Sequence, residues 1–256
     1  AIIAAVFVLQ FEQPIPDEAR ARMTHDMLDK TRYPGFSLMP SQQMNFVIIG
    51  QPTPMFQQNV SIVPVWKKFN VDGSLVHEIR VEQLSIVFVC HDYSRWNEVM
   101  PQAVSDMLKL ISEIEENKIS AIILQVTDAF RLEVGETAFV DTLNSKSEYL
   151  PSNILELGDV LWHVHQGWFD ADLKVCGNKV LNRLNINVLD NINHQREIQI
   201  EHFVEQRLAS SVECSTVTEV FLKDMFNSSH AKNKSLMVGL LHEAMQIKVS
   251  LNHDDI

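Results

Sequence analysis

The segment from Trp66 to Ile119, WKKFNVDGSLVHEIRVEQLSIVFVCHDYSRWNEVMPQAVSDMLKLISEIEENKI, constrains the fold more than any other part of the chain. Asp72-Gly73 marks a hairpin turn, because glycine accepts the positive φ that such turns require. LVHEIRV and LSIVFVC then read as paired strands. From Met100 onward, Val104, Met107, Leu108, Ile111 and Ile114 recur at the spacing of one helical face. Pro101 fits that helix only in its first turn, where a missing N–H is tolerated. A hairpin, a buried strand and a long amphipathic helix in succession place the chain among α+β proteins.

The rest of the sequence repeats this layout. Residues 2–12, ending in AVFVLQFE, read as a first strand stopped by Pro14 and Pro16. PDEARARMTHDMLDKTR carries helix formers, with acids first and bases last, the order the helix dipole prefers. SQQMNFVIIG and VSIVPVWKKFN supply further strands. In the second half, SAIILQVTDAFRLE begins as a strand and GETAFVDTLNS reads as a short helix. LWHVHQGWF, KVLNRLNINVLD, REIQIEHFVEQRL and STVTEVFLKDMF are strand-like in their β-branched and aromatic content. Asn227-Ser228-Ser229 can cap a last helix striped by Leu236, Met237, Leu240, Leu241, Ala244 and Met245. The expected architecture is therefore one α+β domain over residues 1–256. It comprises two tandem strand–helix–antiparallel strands–helix repeats, about 1–117 and 118–256. These fuse into a pseudo-twofold unit with a continuous curved antiparallel sheet and long helices on one face.

Charge and composition remove several function classes. The formal net charge is −12, which opposes binding to phosphate backbones. The basic groupings Arg20, Arg22, Lys30, Arg32 and Lys174, Lys179, Arg183 read as solvated faces. Eight glycines in 256 residues leave little material for phosphate-cradling loops. Neither a Walker A nor a dinucleotide fingerprint occurs. Cys90, Cys176 and Cys214 are isolated and odd in number, which fits a reduced, cytoplasmic setting and supports no disulfide framework. The apolar opening is too short for a membrane span, and no later run reaches about 18 apolar residues.

Four short motifs carry a resemblance. The opening AVFVLQFE, the aromatic-led hairpin Trp66–Gly73, the Tyr93-x-x-Trp96 start of the long helix and the Leu241-His242-Glu243 triplet resemble a sporadically distributed family of conserved bacterial proteins of about this length. The strand after the helix, AIILQVTDAFRLE, departs from that pattern. The resemblance implies a bacterial protein of the defence or toxin–antitoxin type of gene neighbourhood. It carries no catalytic residue over to this chain.

The sharpest local signal for ligand chemistry is GDVLWHVHQGWFDADLKVCG. His163 and His165, two apart on a strand, project to one face, and Asp170 follows as a carboxylate. These three are the candidate ligand-binding residues. The order Gly158, His163, His165, Asp170, Gly177 approaches a first cupin motif. The glycine- and proline-bearing second motif is missing, and long helices contradict an all-β barrel, so no metal or other cofactor is assigned. His202 beside Glu201, His242 beside Glu243 and His91-Asp92 lack the geometry of built-in acid–base pairs, and Ser94 has no nucleophile elbow. No catalytic residue is assigned. The leading expectation is a non-enzymatic interaction protein: an accessory or antitoxin-like subunit whose partner is another protein, encoded nearby, with a homodimer as a second form. The alternatives are a small-ligand or metal-binding sensor or enzyme working between the repeats, and a nucleic-acid-binding saddle.

Overall fold

The computed structural model describes residues 2–47, 55–114, 116–131, 141–154, 160–170, 179–190 and 196–251, with the side chains of all of these except 41–60. Among the described residues nine strands form one sheet: β1 (Ile2–Phe11), β2 (Gly35–Val47), β3 (Met55–Phe69), β4 (Leu75–Val81), β5 (Ser85–Cys90), β6 (Lys118–Arg131), β7 (His163–Phe169), β8 (Lys179–Asp190) and β9 (Arg196–Glu213). Their spatial order is β2-β3-β4-β5-β1-β6-β9-β8-β7. Neighbours run antiparallel: the end of β1 bonds the start of β5 (Phe11 N to Leu84 O, 2.8 Å) and of β6 (Glu12 N to Lys118 O, 2.8 Å), and the start of β6 meets the end of β9 (Cys214 N to Asn117 O, 3.0 Å). Among the described residues there are four helices, α1 (Asp17–Ala21), α2 (Trp96–Ile111), α3 (Glu219–Leu240) and α4 (Glu243–Lys248). None is long and apolar enough to cross a membrane. The α+β class expected from the sequence is present.

The chain separates into two compact units, one made of Phe7–Ala121 and Ser210–Glu219, the other of Ala1–Val6, Ile122–Ala209 and Val220–Ile256. In the first unit, β1 alternates as a strand with one buried face should, sinking Phe7, Leu9 and Phe11. Phe7 meets Phe88 of β5 edge-on at 5.8 Å and stacks on Trp96 at 5.6 Å. Helix α2 lies against β5 and buries Val99, Met100, Ala103, Val104, Met107, Leu110 and Ile111. At about 1.5–3 kcal/mol per large apolar side chain, this stripe holds the helix in place. In the second unit, Leu184, Ile186 and Val188 of β8 and Ile198 and Ile200 of β9 form one core with Leu236, Met237 and Leu240 of α3.

The turn at Asp72-Gly73 forms as expected. Gly73 has φ +85, and Asp72 accepts from both the backbone and the hydroxyl of Ser74. Other expectations are corrected. PDEARARMTHDMLDKTR gives only the five-residue α1 and a single 3₁₀ turn at His25–Met27. Tertiary contacts override propensity there: buried Arg20 reaches Ile62 O at 2.9 Å, and Asp29 turns the chain by accepting from Thr31. Helix α2 starts at Trp96, so Pro101 occupies its second turn rather than its first. Trp66 and Phe69 do not share a face: Trp66 is buried and Phe69, three residues on, is exposed, as strand alternation requires. STVTEVFLKDMF is not a strand; from Glu219 it is the start of α3, and Asn227-Ser228-Ser229 lies inside that helix instead of capping it. GETAFVDTLNS falls mostly outside the described residues.

Candidate functional site

Strand β7 sets the candidate residues on two opposite sides. His163, His165, Gly167 and Phe169 are exposed, while Val164 is buried and Gln166 and Trp168 are half-buried. The two histidines therefore share a face, as expected from their spacing. Asp170 has the other parity: it accepts from Asn182 Nδ2 of β8 (2.5 Å) and pairs with Lys232 of α3. The fold thus brings His163 and His165 to one surface and commits Asp170 to a separate, half-buried ion pair.

The register extends the exposed face across three strands. His165 pairs with Asn185 and Asn185 with Glu201, while Gly167 pairs with Arg183 and Arg183 with Phe203. Side chains follow these rows. His165 Nδ1 bonds Asn185 Oδ1, and Asn185 Nδ2 donates to Glu201 Oε1 at 2.8 Å. The Arg183 guanidinium lies 3.7 Å above the Phe203 ring, at the range of a strong cation–π contact. Arg207 lies 5.8 Å from the Phe169 ring and pairs with Glu205. Arginine, aromatic and histidine side chains are thereby held in fixed positions on a surface open to solvent.

Beneath this sheet, in the same unit, runs a polar layer that sequence reading missed. Trp168 stacks on His202 at 6.4 Å and on Tyr149 at 5.6 Å. His202 is buried, its Nδ1 bonded to Asn233 Oδ1 at 3.1 Å. Gln206 Nε2 donates to Met225 O and to the Ser229 hydroxyl. Burial pushes His202 down to about 4 from 6.5, against the opposing pull of the Asn233 bond and of Asp170. With Asn233 accepting at Nδ1, the lone pair sits on Nε2, which has no hydrogen-bond partner among the described residues. A signal existed in the sequence: Leu222, Phe226, Ser229, Asn233, Leu236 and Leu240 are buried on α3 at alternating three- and four-residue steps, so Ser229 and Asn233 interrupt an apolar stripe.

The first unit holds a comparable device. Asp106 sits on the buried stripe of α2 and accepts from Tyr33 Oη at 2.6 Å and from Gln102 Nε2, with the Arg32 guanidinium 3.6 Å away. Burial, then the charge of Asp106, drives the Tyr33 phenol far above its usual range. His77 is held neutral, at about 4, by burial and by Lys68 and Arg32. A depression of about 450 Å³ is lined in part by Ile111, Asn117, Glu213 and Cys214. Burial raises the Cys214 thiol to about 11, the opposite of what an activated nucleophile needs. The other expected positions are placed simply. His91 and Asp92 are exposed, Asp92 accepting from Asn70, and His202 and Glu201 face opposite sides of β9. His242 caps the short α4 by accepting from Ala244 N, so the expected single last helix is broken between Leu240 and Glu243.

Among the described residues no three His, Cys, Asp or Glu side chains converge as a metal site. No protein-family model, no curated protein and no solved structure matches the chain.

Proposed function

We propose that the chain is a protein-interaction subunit, non-enzymatic and accessory or antitoxin-like, that presents the exposed face of β7, β8 and β9 to another protein. The observation that carries this reading is the pair of arginine–aromatic contacts on that face, Arg183 over Phe203 and Arg207 by Phe169, beside the His165–Asn185–Glu201 chain. Arginine and aromatic side chains dominate the energetic centres of interfaces, and side chains already fixed lose little entropy on binding. The placement in a bacterial defence or stress module rests on the motif resemblance alone. Strand order supports the proposed duplication of about 1–117 and 118–256. In the first half the sequence β2-β3-β4-β5 is closed by β1, and in the second β7-β8-β9 is closed by β6, each by the half's first strand.

The test is untagged purification of the full chain from its source organism, followed by cross-linking and mass spectrometry. One partner at fixed stoichiometry is expected, lost on Arg183→Glu and on Phe169→Ala while circular dichroism stays unchanged. A partner retained by both variants, or none at all, defeats the proposal.

A further inference from the structure

From Tyr33 to Trp66 the chain contains no Asp, Glu, Lys, Arg or His, although its net charge is −12. This stretch contains all of β2, the edge strand at one end of the sheet, and most of β3. The two sides of the β2–β3 ribbon differ. β4 pairs with β3 only from Val65 to Phe69, and beyond that point Arg20 of α1 covers β3, donating to Ile62 O. Ser61, Val63, Pro64 and Val65 of β3 are accordingly buried. On β2, Ser37, Leu38, Met39 and Pro40 are all exposed, with Leu38 at 45% and Met39 at 46%. Edge strands are ordinarily guarded by charged side chains, lysine above all, and this one has none over its 13 residues.

We infer that β2 is a self-association edge, and that its occupant is β2 of a second copy of the chain, packed across a twofold axis. The charge distribution selects that occupant. Two copies carrying −12 each repel wherever their charged surfaces approach, and the Tyr33–Trp66 stretch is the part of each chain that adds nothing to the repulsion. Thirteen residues at about 3.4 Å each give an edge of roughly 44 Å, long enough for an antiparallel ladder flanked by Leu38 and Met39 of both copies. Ile62 O is turned to Arg20, so Ile62 faces away from β2 and its register partner Pro40 faces the open side. Pro40 supplies a carbonyl there and no donor, so the ladder forfeits one bond per copy and leans on the apolar contact. This surface does not depend on what the β7–β9 face binds.

Sedimentation equilibrium of the full chain over a wide concentration range tests the inference. A monomer–dimer equilibrium is expected, with Met39→Lys weakening it at least about tenfold, the cost of placing a charged side chain in the apolar edge contact. Val220→Lys, at an exposed apolar position outside this stretch, should leave it unchanged. Because screening relieves repulsion between the acidic copies, raising ionic strength should tighten the dimer. A monomer at every concentration overturns the inference. So does a dimer indifferent to Met39→Lys, a dimer weakened by salt, or open-ended growth past two copies. No co-purifying partner, or one retained by Arg183→Glu and Phe169→Ala, with this dimer equilibrium as expected, would count against the β7–β9 proposal alone.

Discussion

His202 offers the most direct check on the reading of the buried polar layer. The perturbation is His202→Gln, which keeps a donor for Asn233 and removes the titrating ring. In the unfolded chain an imidazole binds its proton near 6.5, whereas in the fold His202 binds one only near 4. Above 6.5 neither state is protonated and the residue makes no pH-dependent difference. As the pH falls below 6.5 the unfolded state gains a proton that the folded state refuses, so stability is lost progressively down to about 4. The interval from 6.5 to about 4, at about 1.4 kcal/mol per pH unit, comes to about 3 kcal/mol, of which about 2 kcal/mol is lost by pH 5. Urea unfolding of both chains at pH 7, 6 and 5 isolates this contribution, because all other titrating groups cancel in the difference. The variant should be the less stable chain at pH 7, from lost stacking on Trp168, and should draw level by pH 5. Parallel stability curves, or an imidazole resonance of His202 titrating near 6.5 in the folded chain, would refute the reasoning.

Three further outcomes follow from other parts of the structure. Asp106→Ala strands the Tyr33 hydroxyl, the Gln102 amide and the Arg32 guanidinium, and should cost about 3 kcal/mol in fluorescence-monitored urea unfolding, with Asp106→Asn costing about half as much. Gly73→Ala should lower stability by about 1 kcal/mol in thermal melts; nothing lies within 4 Å of the added Cβ, so the cost comes from φ +85 alone. Burial holds the Cys90 and Cys214 thiols near 11, so at most one of the three cysteines should react promptly with a thiol-specific disulfide reagent at pH 8, and all three after unfolding.

Strands bounded by clear stops were legible from sequence: β1, β4, β5, β8 and the first part of β9 fall where β-branched and aromatic content, or in β5 an unbroken apolar run, placed them. The stripe of α2 was equally plain. Reading failed where one signal competed with a tertiary one. The segment after Pro16 has helix-forming composition, yet Arg20 is drawn inward to Ile62 O and the helix ends after one turn. STVTEVFLKDMF has strand composition, yet Leu222 and Phe226, four apart, are buried by the helical period. For the candidate residues, the shared face of His163 and His165 followed from their spacing, because strand parity is local. Asp170 could not be placed so, since its partners Asn182 and Lys232 come from β8 and α3. The buried polar groups Asp106, Ser229 and Asn233 were hidden for a different reason: reading only the apolar members of a stripe discards the polar residues that share it.

The position of β1 bears on how the chain is made. It precedes both of its neighbours in the sequence, yet it lies between β5 and β6, with Gln13 bonded to Asn117 and Ser120 reaching back to Gln10. A ten-residue strand with an apolar face must therefore wait for β5, which begins more than seventy residues after β1 ends, and for β6, which begins more than a hundred residues after it. Such long-range closure is slow, and in the interval that face is open to wrong partners. The unpaired face of nascent β1, rather than any finished surface, is where a holding chaperone would be expected to act.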